Sequence, residues 1–237
     1  MLPILCVLPL VISVYSASAP FIKPCRKGDS ACVLASAKAA LPSLIPGVPE
    51  LGVQTLDPMS LPLIQSDENG LKLTFTDSTL TGIKDCSLDT IKYDAEKMKQ
   101  IIAVTCNLSL KGHYKLSGQL LILPVQGDGK YRIDIKDVAL KVTADVTTKT
   151  GADGKEHWHL SKFKHSYQVK TNAHFDFKNL FNGNKALADP VLEFANSNWK
   201  DVMQEVAPPV VRSILTETVN ALNALYEAVP AEELYIP

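Results

Sequence analysis

The side chains best suited to chemistry in this sequence are few and scattered. His157-Trp158-His159 places two imidazoles on one face of an extended segment, with His165 beyond, which is how a metal site or an acid–base pair begins. No carboxylate or cysteine stands at ligand spacing to complete it, so two solvated histidines beside a packed tryptophan are expected. Gly127-Asp128-Gly129-Lys130 has the composition of a phosphate cradle but lacks the following helix whose amides would hold the anion, and it reads as a hairpin turn. A hydrolase needs a nucleophile with a base and an orienting group, usually a glycine-flanked serine on a strained turn, and the sequence has no such serine. Glu232 and Glu233 follow Pro230 and are expected at the surface. Neither an enzyme, a metal nor a cofactor is expected.

The cysteines suggest cross-linking instead. Cys25 and Cys32 bracket Arg26-Lys27-Gly28-Asp29-Ser30-Ala31, a small loop that a disulfide closes readily. Cys86 and Cys106 lie symmetrically about residues 94–97; a hairpin turning there makes them face each other, as a second bridge or as two buried thiols. Cys6 falls in an apolar run over residues 2–14 that is too short to span a bilayer and is followed by Ser16-Ala17-Ser18-Ala19. That run reads as a signal peptide over residues 1–19, cleaved between 16 and 19, with a membrane anchor as the alternative. The even number of cysteines left behind suits an oxidising, extracellular destination. Asn107-Leu108-Ser109 is a glycosylation sequon that alternates with apolar residues and so faces water; whether it is used stays open.

Composition narrows the partners. The 237 residues are 46% hydrophobic and 21% charged, enough apolar material for a sizeable core, and 24 Lys+Arg balance 25 Asp+Glu. Nothing supplies the electrostatic footprint that nucleic acid or an anionic membrane surface requires.

The elements that position these residues follow from periodicity. Asp29 or Ser30 can cap a helix over residues 31–41 that Pro42 stops. Pro42, Pro46, Pro49, Pro58 and Pro62 then punctuate a connector without regular helix. Between residues 71 and 177 the apolar period is two, as in Leu71, Leu73, Phe75 and in Tyr131, Ile133, Ile135, which predicts consecutive antiparallel strands. Asp128-Gly129 and Asp153-Gly154 suit tight turns between strands. The phase shift between Ile135 and Val138 predicts a bulge, and a bulged meander curls. Beyond residue 184 the period becomes helical. Asp189 caps and Pro190 starts a helix whose stripe Leu192, Ala195, Trp199, Val202, Met203, Val206 resumes past Pro208 and Pro209. One kinked helix over residues 190–229 would be about 60 Å long, against a radius of gyration of about 17 Å for a compact domain of this size. An elongated single domain over residues 20–237 follows, with a curled sheet around a long helix.

Several pieces in order carry a resemblance: the paired cysteines at the amino terminus, Gly47-Val48-Pro49-Glu50-Leu51, Leu56-Asp57-Pro58, Leu123-Pro124-Val125-Gln126-Gly127-Asp128-Gly129, Leu180-Phe181-Asn182-Gly183-Asn184, and Asn198-Trp199-Lys200 leading to Glu205 and Pro208. Together they resemble the takeout / juvenile hormone-binding family across the whole mature chain. The resemblance implies an α+β fold in which a highly curved antiparallel sheet, a tubular lipid-binding-like super-roll, wraps a long C-terminal helix and encloses an apolar tunnel. It also implies carriage of terpenoid, acyl or similar lipophilic molecules outside cells. Hormone carriers typically add a second disulfide in the later half of the chain, whereas no cysteine follows Cys106 here, which favours the takeout branch.

The candidates for the tunnel wall come from the inward positions of the strands and the helix stripe: Val104, Leu108, Leu121, Leu123, Ile133, Ile135, Leu140, Val142, Phe175, Phe177, Trp199, Met203, Val206, Val210 and Ile214. Trp199 and Met203 lead, for broad apolar area and adaptable shape. Tyr114, Tyr131, Tyr167 or His174 would grip an oxygen at a ligand's end. The sequence thus predicts a monomeric secreted carrier of a lipophilic small molecule, without an integral membrane span. The alternative is a secreted interaction protein with a solid core, recognised by a receptor.

Overall fold

The computed structural model describes residues 18–236. The expected leader therefore lies outside the described residues, apart from Ser18 and Ala19.

The short strand β1 (Cys25–Arg26) leads into α1 (Ser30–Leu44). Asp29 caps that helix by accepting from the Cys32 amide at 2.9 Å. Pro42 does not stop it: α1 runs to Leu44, because proline in the last turn forfeits a single amide and the Ile45 N–H still reaches the Leu41 carbonyl. The connector holds one 3-10 turn, Pro49–Leu51, and ends earlier than expected, at β2 (Met59–Glu68). Pro62 lies inside β2, which an edge strand tolerates.

β3 (Leu71–Thr81), β4 (Ser87–Asp94), β5 (Lys99–Leu120), β6 (Leu123–Thr150) and β7 (Glu156–Phe177) complete an antiparallel sheet in the order β2-β3-β5-β6-β7. β4 pairs with the first half of β5, and β3 with the second. The bulge between Ile135 and Val138 is present. There two residues of β6, Lys136 and Asp137, stand opposite the single Asn107 of β5, and further register shifts fall in β3, β4 and near Asp145. Each adds local twist, and the sheet curls.

Asp153-Gly154 lies in the β6–β7 turn as expected, but Asp128-Gly129 does not make a turn. β6 runs straight through it, paired with Lys115 and Tyr114, and the hairpin turns instead at Leu121, with φ of 54°, and Ile122. The glycines serve close approach. A Cβ at Gly129 would stand 2.4 Å from the Lys178 carbonyl, and one at Gly127 2.5 Å from the Tyr114 hydroxyl.

The terminal helix is two helices, α2 (Lys185–Ser197) and α3 (Trp199–Ala228). α2 begins before Asp189 and carries Pro190 inside it. The break falls at Asn198 (φ −109°, ψ 34°) rather than at Pro208 and Pro209, which α3 absorbs. Asn198 closes α2 onto the Phe194 carbonyl, while its own carbonyl accepts from Asp201 and Val202 to open α3. At 30 residues α3 is about 45 Å long. It touches both edge strands, β2 and β7, so the sheet wraps it. A last turn, α4 (Ala231–Leu234), leads to β8 (Tyr235–Ile236), which pairs in parallel with β1 and joins the two termini.

The Gly129→Ala substitution should destabilise the fold by about 1–3 kcal/mol, because the new methyl meets backbone that cannot yield. Urea denaturation measures it, and Gly154→Ala, with nothing within 4 Å of the added carbon, separates clash from backbone strain.

Candidate ligand-binding cavity

Both pairs of cysteines are bridged, Cys25 to Cys32 and Cys86 to Cys106. The first ties β1 to the opening turn of α1, and the Ser36 hydroxyl reinforces that end by donating to the Lys23 carbonyl at 2.7 Å and accepting from the Lys23 amide at 2.9 Å. So anchored, α1 lies over β4 and roofs a cavity of about 300 Å³.

Its floor is the inner face of the sheet: Leu88 and Ile91 of β4, Ile102 and Val104 of β5, Leu140, Val142 and Ala144 of β6, and Trp158 and Leu160 of β7. α3 forms the side with Ile214, Leu215, Thr218, Leu222, Leu225 and Tyr226. α1 contributes Val33, Ser36, Ala37, Ala40, Leu41 and Leu44, and the space lies between them and the floor.

The lining carries little polarity. Among the described residues Lys23 is its one charged residue, and it is exposed. Ser36 is spent on Lys23, and Thr218 donates to the Ile214 carbonyl of its own helix. The remaining polar pair is Gln100 and Tyr226: the amide donates to the hydroxyl at 2.8 Å, and the hydroxyl donates back to the amide oxygen at 2.9 Å. Burial pushes the Tyr226 phenol up to about 12, partly offset by its bond to Gln100, so it is neutral at physiological pH.

The fifteen wall candidates divide among three spaces under the sheet or border none of them. Val104, Leu108, Leu140, Val142 and Ile214 line the large cavity. Ile133, Ile135, Met203, Val206 and Val210 surround an adjoining space of about 70 Å³ that shares Leu108, Leu140 and Ile214 with it. Phe175, Phe177 and Val206 border a pocket of about 50 Å³ at the far end. There the interior is filled by rings, Phe75 stacked on Tyr131 at 4.2 Å between centroids and Phe177 at 4.7 Å from Tyr114. Leu121, Leu123 and Trp199 touch none of these three spaces. Leu121 is in the hairpin turn, with its amide donating to the Glu205 carboxylate; Leu123 is half-buried at the start of β6; Trp199 opens α3 against the core with Lys200 over its ring.

The polar candidates are mostly committed elsewhere. Tyr114 is buried and donates to the Lys178 carbonyl, Tyr131 is buried and shares a hydrogen bond with Ser78, and His174 is exposed on the outer face because its neighbours Ala173 and Phe175 point inward. Tyr167 alone borders a cavity, the 70 Å³ one, and burial raises its phenol above its usual value. Sequence reasoning missed Gln100, Tyr226 and the whole of α1. Continuing the helical stripe past Pro209 leads to Leu222, Leu225 and Tyr226, whereas α1 was expected as a helix but not as a wall of the site.

His157 is not solvated as expected. It is buried, with Nδ1 facing the Tyr226 carbonyl at 3.2 Å and Nε2 facing the Asp153 carboxylate at 3.1 Å. Tyr226 needs that partner because four residues on stands Pro230, which has no amide hydrogen to offer. His159 pairs with Glu227 at 3.1 Å, and Trp158 is packed between them as expected. Asn107 is exposed, with its side-chain oxygen accepting from the Asp137 amide of the bulge opposite it. Among the described residues no helix is long and apolar enough to cross a membrane.

With this geometry in view, residues 4–236 match the family model for haemolymph juvenile hormone binding protein (JHBP). The chain belongs to the JHBP family. Among solved structures it is similar to Takeout 1 of Epiphyas postvittana, 32% identical with a TM-score of 0.87, over 91% of this chain and 100% of that one. Among curated relatives it is 27% identical over 226 residues to the circadian clock-controlled protein daywake of Drosophila melanogaster, covering 90% and 86% of the two chains. It is 24% identical over 137 residues to the juvenile hormone-binding protein of Manduca sexta, covering 52% and 60%. The family and its fold, a curled antiparallel sheet with a long C-terminal helix, agree with the sequence reading.

Two outcomes follow from the site. Ala40→Phe places a ring in the large cavity and should weaken an apolar fluorescent probe by roughly tenfold, about 1.4 kcal/mol, without loss of thermal stability. Met203→Trp, which fills the smaller space, should weaken it less, and His174→Ala not at all; fluorescence titration measures all three. Tyr114, Tyr131 and Tyr226 hold their protons to about 12 when folded, against 10.0 in the unfolded chain, all chiefly through burial. The folded state therefore keeps protons that the unfolded state releases, so stability is full below pH 10 and is lost as pH rises from 10 to 12. Urea midpoints across that window should fall, with tyrosinate absorbance appearing together with unfolding; phenols titrating near 10 in the folded chain would contradict it.

Proposed function

We propose that the chain is a secreted, non-enzymatic carrier holding a lipophilic ligand, a terpenoid, a fatty-acyl chain or a similar lipid, in the cavity beneath α1. The observation that carries this reading is an apolar space of about 300 Å³ enclosed by α1, the sheet and α3, at the lower end of ordinary small-molecule sites. Each ligand methylene buried there contributes about 0.8 kcal/mol, so a dozen carbons approach 10 kcal/mol before the costs of association. No special chemistry is needed for micromolar binding.

The bore favoured is shorter than an end-to-end tunnel. The ring stack at Phe75, Tyr131 and Phe177 closes the α2 end, so the ligand occupies the α1 end and extends at most into the space beside Met203. Juvenile hormone itself is not carried over from the Manduca sexta relative, whose match spans about half of this chain.

Secretion is supported by the two disulfides and by the leader-like sequence of residues 1–19. Ala19 is buried in the core around Trp158 and Tyr226, which favours cleavage before it. The mature chain would then act as a single monomeric domain.

Organic extraction of the purified chain followed by mass spectrometry tests the reading. A lipid recovered near one per chain is expected. A chain that yields none and takes up no apolar probe would be an interaction protein with a receptor instead.

A further inference from the structure

Gln100 sits at the start of β5 and is 5% exposed, yet its side chain faces a cavity whose other walls are almost wholly hydrocarbon. An amide carries two hydrogens on nitrogen and two lone pairs on oxygen, and a phenol carries one hydrogen and two lone pairs. The reciprocal pair with Tyr226 consumes one amide hydrogen, one amide lone pair, the phenol hydrogen and one phenol lone pair. One N–H of Gln100 is left with no partner among the described residues, together with one lone pair on each oxygen. A buried donor in apolar surroundings is costly unless it is met, so a ligand that meets it gains over one that does not.

The pair is also held in place. Tyr226 packs edge-on against Trp158 at 5.7 Å between centroids, and its carbonyl is fixed by His157. Gln100 lies in strand register opposite Ala144 and Tyr93. The phenol orients the amide, and the amide's spare donor is directed by a rigid neighbour. This is the arrangement by which a mostly apolar site acquires specificity from a few fixed polar groups.

We propose that the Gln100–Tyr226 pair is the polar recognition element of the cavity, selecting lipophilic ligands with an uncharged oxygen acceptor, a ketone, ester or hydroxyl, over hydrocarbons and over carboxylates. The inference rests on the carrier reading and adds the chemical class of the ligand. A carboxylate is disfavoured because among the described residues no cation lies at that depth: Lys23, the one charged lining residue among them, is exposed. An ionised head group beside Gln100 would lose its hydration without an opposite charge to replace it.

The test is competition of a bound apolar probe by a series of equal chain length: an alkane, a methyl ester, a methyl ketone, a primary alcohol and a carboxylate. The purified wild-type chain should prefer the oxygenated neutral members to the alkane by roughly five- to tenfold, the scale of one net hydrogen bond. The double variant Gln100→Leu/Tyr226→Phe removes both partners together and should bring that ratio to about one while leaving the alkane as tightly bound. If the double variant fails to fold, the infrared stretch of a carbonyl-labelled ketone bound to wild type decides. A shift to lower frequency than in alkane solvent supports the hydrogen bond, and no shift overturns it. Equal affinity for ester and alkane in wild type, a ratio unchanged in the double variant, or a carboxylate preference abolished by Lys23→Met each overturns the proposal while leaving a carrier. Failure of every member of the series to bind removes the carrier reading itself.

Discussion

Two asparagine amides fix where the helices stand against the sheet, and the internal space depends on that placement. Asn196 of α2 accepts from the Phe175 amide at 2.8 Å and donates to the Phe175 carbonyl at 3.0 Å; Asn223 of α3 does the same at Leu160, at 2.7 and 3.1 Å. Each side chain stands in for a neighbouring strand on the open edge of β7, satisfying backbone groups that would otherwise be free to pair with another chain. The two clamps sit toward opposite ends of the strand. A helix pinned at an edge by directional bonds does not have to settle onto the concave face by close packing alone, so a gap under it persists.

Whether that gap is empty is decided locally by side-chain volume. At the α2 end Phe75, Tyr114, Tyr131 and Phe177 converge, and the tyrosines close their hydroxyls onto Lys178 and Ser78, leaving about 50 Å³. At the other end α1 stands off from the sheet with Val33, Ala37, Ala40, Leu41 and Leu44 facing the space, and about 300 Å³ remains. The same curled sheet thus supports a solid core at one end and a hollow one at the other.

The fold was legible in the sequence wherever an element had one buried face. The period-two runs through Ile133, Leu140 and Phe175 and the helical stripe through Met203 and Leu215 appear as expected, as does the bulge after Ile135. Misreadings came where local signals compete with tertiary ones. Asp128-Gly129 has turn chemistry, yet Gly129 is there so that the Lys178 carbonyl can approach. The helix continues through Pro208 and Pro209 as expected, held by the buried stripe Met203, Ala207 and Val210, but the break at Asn198, which divides α2 from α3, was not foreseen. The site was legible only in part. Val104 and Leu140 follow from alternation and Ile214 from the helical stripe, whereas α1, expected as a helix over residues 31–41, carried no sign of which surface its apolar side chains would face. Gln100 was missed because it breaks the polar-out rule of its strand, and a buried polar residue inside an apolar alternation is the signal that would have found it.

The walls of the cavity differ in how they are held, and this bears on what occupation would do. The floor is a hydrogen-bonded sheet, and the side is α3, clamped at Asn223 and capped by His157. The roof is fastened at its start, by the Cys25–Cys32 bridge and by Ser36, and at its end, where the Ile45 carbonyl accepts from the Leu56 amide and Leu44 packs against the core around Trp158. Between those anchors Val33, Ala37, Ala40 and Leu41 face the hollow, and a bound chain would supply the packing they lack there. By linkage that contact stabilises the folded chain over the unfolded one.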